Sequence, residues 1–313
     1  MRSGPMLKIR TSIPVAVFGM VFHSSLFLFA LDLTASQPGN PSFSGAAALA
    51  DTRRATAFGE RPSGSEASSR LREWIVSQTK PLGGEISLDA FKGQTPDGPV
   101  SMTNVIVKFP GASGKAVAVG GHYDTKRIAM THFVGANDGG SSTGFLIEFA
   151  RAVSHMQHPD DIYVVFFDGE EALGNWSATD SRYGSRHLVA KWGADGTLSR
   201  LKALINIDMI GDKDLDIMND ENSSQSLRDL TARQAAKLGY SKYFQTEAAG
   251  SDDDHMPFVD AGVNAMDLLD LDYGPHNSYW HTAEDTIDKL SAHSFQVVGE
   301  VVLGVVAELE RAN

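Results

Sequence analysis

Four apolar runs, 116–121, 161–167, 201–207 and 263–269, are short and rich in Val, Ile, Leu, Ala and Phe. Their length suits strands buried on both faces and is too short for core helices. Helical patterns at 139–153, 182–192 and 224–238 fall between them, the last with Gly239 as a stop signal. Alternation of this kind builds a three-layer α/β domain whose ligand site lies beyond the carboxyl ends of the strands. The acids and histidines fall mostly at those ends: His122 and Asp124 in GGHYD, Asp138 in GAND, Glu170 and Glu171 in FFDGEEA, Asp208 in INIDMIG, Asp253, Asp254 and His255 in DDDHMPF, and His281 in YWHT.

The remaining elements frame this core. Residues 46–58 read as a helix, and 65–79 as an amphipathic one with Leu71, Trp74 and Ile75 on its apolar face. Neighbouring strands are expected at 85–91 and 103–109, a short helix at 253–261 and a closing helix at 290–311. At the start, Arg2, Lys8 and Arg10 precede an apolar stretch at 13–31 and then small polar residues, the order of a secretory signal. Residues 1–36 are therefore expected to be a signal peptide or, if retained, an N-terminal membrane anchor, with export to the periplasm or the extracellular space. Residues 37–45 read as a Pro, Ser and Gly linker, and 46–313 as a single catalytic domain.

Composition limits the ligands. A formal charge of −12 with no basic patch beyond the extreme N-terminus excludes a nucleic-acid partner, because phosphate binding requires clustered Lys and Arg. The chain has no Cys, so it forms no disulfide and no thiolate metal site. Carboxylates and imidazoles without thiolates suit a catalytic zinc that keeps an open position. Glu170-Glu171 is the sharpest local element. After a buried strand a desolvated acid pair without a cation is costly, whereas one carboxylate can bind metal while its neighbour serves as a general base. His122 and Asp124 project to the same side of a strand end, which lets the imidazole reach metal while the carboxylate orients it.

These motifs together resemble the zinc-dependent aminopeptidases of the bacterial leucyl aminopeptidase type and their relatives, the animal-type glutaminyl-peptide cyclotransferases, over residues 101–290. The resemblance implies a zinc-exopeptidase-like αβα sandwich with a mixed, mostly parallel sheet. His122, Asp138, Glu171, Asp208 and His281 match the five metal-ligand positions of the two-zinc peptidases. In the cyclotransferases one zinc is held at the positions of Asp138, Glu171 and His281, which leaves His122 and Asp208 as second-metal candidates. Trp176-Ser177, Asp180-Ser181, the run from Tyr183 to Leu188, Asp253-Asp254-His255 and Trp280-His281 are similar to the cyclotransferase pattern. That reading implies peptide or protein N-termini as substrates, no stable protein partner, Glu170, Asp208 and Asp253 as catalytic groups, and Trp176 and Trp280 as pocket walls. The rival readings are a di-zinc aminopeptidase using the same residues and a non-catalytic binding module that has kept the fold. The chain departs from the animal pattern at Asp267, where those enzymes carry a histidine, and in lacking their disulfide.

Overall fold

The computed structural model describes residues 42–312, with Met1 and Gly4; the expected leader and most of the expected linker lie outside these residues. In chain order the elements are α1 (Gly45–Thr56), α2 (Glu66–Thr79), β1 (Glu85–Thr95), β2 (Gly98–Phe109), β3 (Ala116–His122), α3 (Gly140–Ser154), β4 (Asp161–Phe167), α4 (Tyr183–Asp195), β5 (Leu201–Asp208), β6 (Ile217–Asp220), α5 (Gln225–Leu238), β7 (Phe244–Ala249), α6 (Met256–Asp260), β8 (Ala265–Leu269) and α7 (Ala292–Arg311).

A six-stranded sheet runs in the order β1-β2-β4-β3-β5-β8. β4, β3, β5 and β8 are parallel, and the β1–β2 hairpin adds two antiparallel strands at one edge. Every residue of β3 and β4 is buried, as expected for strands covered on both sides. One face packs on α1, α2, α3, α5 and α7, the other on α4 and α6, which completes the three layers. The chain leaves β3 for β4 on one side and continues through β5 on the other. That reversal opens a crevice at the carboxyl ends of the central strands.

Three segments differ from the sequence expectation. The hairpin is longer, because Lys92–Thr95 pairs with Gly98–Ser101 around a tight Pro96-Asp97 turn, with Gly98 at φ 102°. A second, two-stranded sheet, β6 with β7, was not expected; its strands are short and polar, so they carry no apolar run. Residues 43–45, read as the end of a linker, belong to the fold. Phe43 is buried with its ring 4.9 Å from that of Phe145, Ser44 caps α1, and the Gly45 amide donates to Gln296 Oε1 at 2.7 Å.

A histidine fastens the last helix. His158 Nδ1 lies 3.1 Å from Glu310 Oε1, and its Nε2 lies 2.9 Å from the Val153 carbonyl. Burial opposes charge on this ring, but Glu310 and the Val153 carbonyl outweigh it and raise its pKa above the ordinary value of 6.5. A raised folded-state pKa means that protonation favours the fold. The contribution is therefore complete below pH 6.5 and is lost as pH rises through the raised value. The melting-temperature deficit of His158→Gln against the parent should be largest near pH 5.5 and shrink in alkaline buffer; a deficit independent of pH would contradict this assignment.

Candidate active site

Each central element delivers one part of the site. His122 ends β3, Asp208 ends β5, and Glu170 and Glu171 follow β4. Asp138 lies just before α3, and Asp253 just before α6. His281 comes from the loop after β8 and adopts φ 53°, as Met209 beside Asp208 adopts φ 50°. Left-handed backbone at non-glycine residues is held only where the surroundings enforce it, and here one residue is a proposed ligand and the other adjoins one.

The structure brings the sequence candidates together as two overlapping groups. His281 Nε2 lies 3.1 Å from Asp138 Oδ2 and 3.0 Å from Glu171 Oε1. His122 Nε2 lies 3.2 Å from Asp138 Oδ1 and 3.1 Å from Asp208 Oδ1. Asp138 thus belongs to both groups, one oxygen in each. Donor atoms on a tetrahedral zinc stand about 3.3 Å apart, given metal-ligand distances of ~2.0–2.2 Å. Asp138 Oδ2 is buried yet makes no aligned hydrogen bond, although His281 Nε2 is so close. Two such atoms that face a common point rather than each other fit a shared cation.

Electrostatics point the same way. Burial opposes charge on His281, but Asp138 and Glu171 overcome it and raise its pKa to about 9. Burial likewise opposes charge on His122, and Asp208, Asp124 and Asp138 hold it well above the ordinary imidazole value. The acids compete for whatever positive charge is present, which a divalent ion would supply. Glu170 is pushed well above the usual carboxylate range by burial first and the charge of Glu171 second. Burial, then Asp267 and Asp208, do the same to Asp253.

Bracing groups fix these side chains. Asp124 accepts the amides of Gly169 at 3.0 Å, Glu170 at 3.2 Å and Glu171 at 3.4 Å, and its Oδ1 stands 3.6 Å from His122 Nδ1. One carboxylate therefore sets both the acid pair and an imidazole. Gly139, at φ 75°, passes so close to the Asp124 carbonyl that a side chain there would collide with it and crowd the His122 ring.

Four bracing residues were not found from the sequence. Asp168 accepts from Ser63 Oγ at 2.7 Å, the Thr103 amide at 2.8 Å and Tyr123 Oη at 2.9 Å; burial and Asp124 raise its pKa to about 6. Asp285 accepts the amides of Asn137 at 2.8 Å and Asp138 at 3.2 Å, and the Tyr273 hydroxyl at 2.8 Å. Arg61 is fully buried beneath the loop that carries Asp138. Lys126 places its ammonium 3.1 Å from Glu171 Oε2. Asp285, four residues after His281 in WHTAED, was the most findable of these. Asp267 accepts from Asn206 Nδ2 at 3.0 Å and Ser251 Oγ at 2.9 Å, and burial with Asp208 raises it to about 8.

Above the groups opens a cavity of about 470 Å³ lined by Glu170, Asp208, Asp253, His281, Trp176 and Trp280, among others. The two indoles are 41% and 39% exposed, so they wall the opening and are not part of the core. The three-layer fold and this carboxylate-imidazole crevice define an exopeptidase-like protein with a candidate metal site.

The Peptidase family M28 model matches residues 104–306. The glutaminyl-peptide cyclotransferase of Dictyostelium discoideum is 30% identical over 78% of this chain and 81% of that one. The crystal structure of an Acidobacteriales bacterium glutaminyl cyclase superposes with a TM-score of 0.85 at 41% identity, covering 89% of this chain and 99% of that one. Porphyromonas gingivalis glutaminyl cyclase gives 0.79 at 26% identity, over 85% and 98%. The chain belongs to peptidase family M28, and within it to the glutaminyl-peptide cyclotransferases.

Proposed function

We propose that this protein is a zinc-dependent glutaminyl-peptide cyclotransferase, which closes the N-terminal glutamine of a peptide to pyroglutamate and releases ammonia. The observation that carries the reading is the grouping of Asp138, Glu171 and His281 around one point, with Glu170 beside it and two indoles at the mouth. The names of the relatives with 30% identity or more support it. When bound by Asp138, Glu171 and His281, zinc would supply Lewis-acid polarisation of the γ-carbonyl.

This chain's residues then do the rest. Trp176 and Trp280 hold the glutaminyl side chain curled toward its own amine, so that ring closure is a matter of positioning. The α-amine nitrogen bonds to the carbonyl carbon of the side-chain amide, Cδ, which closes the five-membered ring, and Glu170 takes the proton the amine loses. Glu170 returns that proton to the departing amide nitrogen as the carbon–nitrogen bond breaks and ammonia leaves. Its raised pKa suits a group that must both accept and give. Asp208 and Asp253, which line the same cavity, stabilise the intermediate and the leaving amide. Exclusion of water protects the lactam path from hydrolysis. The leader at 1–36 would deliver the enzyme outside the cytoplasm, with 46–313 as its catalytic domain.

The second group, His122, Asp138 and Asp208, is what a two-zinc aminopeptidase would require, so the assay must separate the two chemistries. Purified protein incubated with a glutaminyl fluorophore substrate should release ammonia as the lactam forms. Chelator should abolish the activity and added zinc restore it, while a leucyl substrate stays intact. Leucyl cleavage without lactam formation would establish hydrolysis instead.

A further inference from the structure

Two loops carry the proposed proton-handling groups: the one after β4, with Glu170 and Trp176, and the one before α6, with Asp252 and Asp253. Arg182 and Trp176 both join them through Asp252. The Arg182 guanidinium lies 5.7 Å from the Trp176 ring centre, over its face, and its Nη1 pairs with Asp252 Oδ1. The other oxygen of Asp252 accepts the Trp176 indole N–H at 3.1 Å. Arg182 Nε donates to Ser181 Oγ at 3.2 Å. The three side chains form a closed triangle in which each touches the other two.

The backbone of Arg182 is tied to the same place. Its amide donates to the Glu170 carbonyl at 2.7 Å, and the next amide, of Tyr183, donates to that of Gly169 at 2.7 Å. Arg182 sits at φ 49° at the start of α4. A residue without glycine's freedom is held there, so its side chain is directed across the cavity wall and not out along the helix. Its side chain is only 8% exposed although Asp252 is 51% exposed, so the cation is sheltered under the indole and its partner faces the opening.

We propose that Arg182 is a positioning residue that clamps Trp176 as the fixed wall of the substrate pocket through Asp252, an inference that rests on the cyclotransferase reading above. Without Arg182 the indole keeps only its N–H bond to Asp252, a half-exposed carboxylate that has itself lost its partner, and its other side faces the open cavity. Substrate would then have to order the wall as it binds, and that cost appears in binding more than in turnover. A guanidinium is required for this role, because its flat face stacks on the ring while its edge pairs with a carboxylate; an ammonium offers only the charge.

The test is a kinetic cycle with glutaminyl dipeptides. Arg182→Met should raise KM about tenfold and leave kcat within threefold. In a Trp176→Ala background the same change should have no further effect on KM, because the wall it holds is gone. An unchanged KM, or the full tenfold rise in both backgrounds, would overturn the clamp. Should Arg182→Met fold poorly, Asp252→Asn, at a half-exposed position, must raise KM at least threefold, and an unaltered KM there counts against the proposal. Arg182→Lys should recover less than half of the lost affinity; full recovery would mean that charge alone matters. Acrylamide quenching, taken as the difference between each protein and its Trp176→Phe partner, reads the indole without substrate. It should rise at least twofold on loss of Arg182. If the quenching changes as expected but the parent cyclises no glutaminyl peptide, the functional reading fails and the clamp stands; if the parent cyclises and the quenching is unchanged, the clamp fails.

Discussion

Glu170→Gln should lower kcat/KM for a glutaminyl peptide about a thousandfold, within the 10²- to 10⁴-fold range of general acid–base groups, and leave bound zinc unchanged. Glu170 is not one of the three residues that gather at the proposed ion; its neighbour Glu171 is. Its amide, like that of Glu171, is fixed by Asp124, so the substitution changes the chemistry of one oxygen and not the path of the loop. Burial and the charge of Glu171 hold the Glu170 pKa high, so an amide there removes a proton carrier without leaving a paired charge stranded. Glu171→Ala is the counterpart: it removes an oxygen 3.0 Å from His281 Nε2 and should release zinc as well as activity. Zinc content by atomic absorption beside turnover separates the two, and equal zinc loss in both variants would refute the division of labour.

How much of this was legible in the sequence follows from where the information lies. The four buried strands and their crossover helices could be read because apolar runs of that length leave few alternatives, and the strand ends then located His122, Glu170, Glu171 and Asp208 without a structure. The small β6–β7 sheet could not be read, since IMND and FQTEAA carry neither alternation nor an apolar run. Phe43 was assigned to a linker on local composition, whereas its burial depends on Phe145 of α3 and on the space left by Gly299 of α7, both far along the chain. The bracing residues were missed for the same reason, although Asp285 stands close to His281 in the sequence. Asp285 and Asp168 look like surface acids until the amides and hydroxyls they accept from are brought around them by the fold. The Arg182, Asp252 and Trp176 triangle likewise joins positions that a sequence pattern treats separately.

Arg61 carries the second large expected effect, on stability. Its guanidinium is fully buried and donates to the carbonyls of Tyr123 at 2.9 Å and Gly135 at 2.7 Å, with Asp138 at 3.4 Å and Val134 as further acceptors. Burial lowers its pKa, and the charges of Asp285, Asp138 and Asp124 limit the fall so that it rests at about 10 and the residue stays charged at neutral pH. Arg61→Met fills much of the same volume but orphans these carbonyls and leaves Asp138, Asp124 and Asp285 without their sheltered cation. Removing one partner from a buried ionic arrangement costs about 3–5 kcal/mol, a large share of the stability of a typical domain. The denaturation midpoint should fall accordingly. Because the carbonyls belong to the loop that aims Asp138, zinc affinity should fall with it, and excess zinc should restore part of the midpoint by mass action. Arg61→Lys keeps the charge but cannot reach several carbonyls in one plane, so it should fall between the parent and Arg61→Met. A midpoint and zinc affinity both unchanged in Arg61→Met would show that the loop holds its shape without the guanidinium.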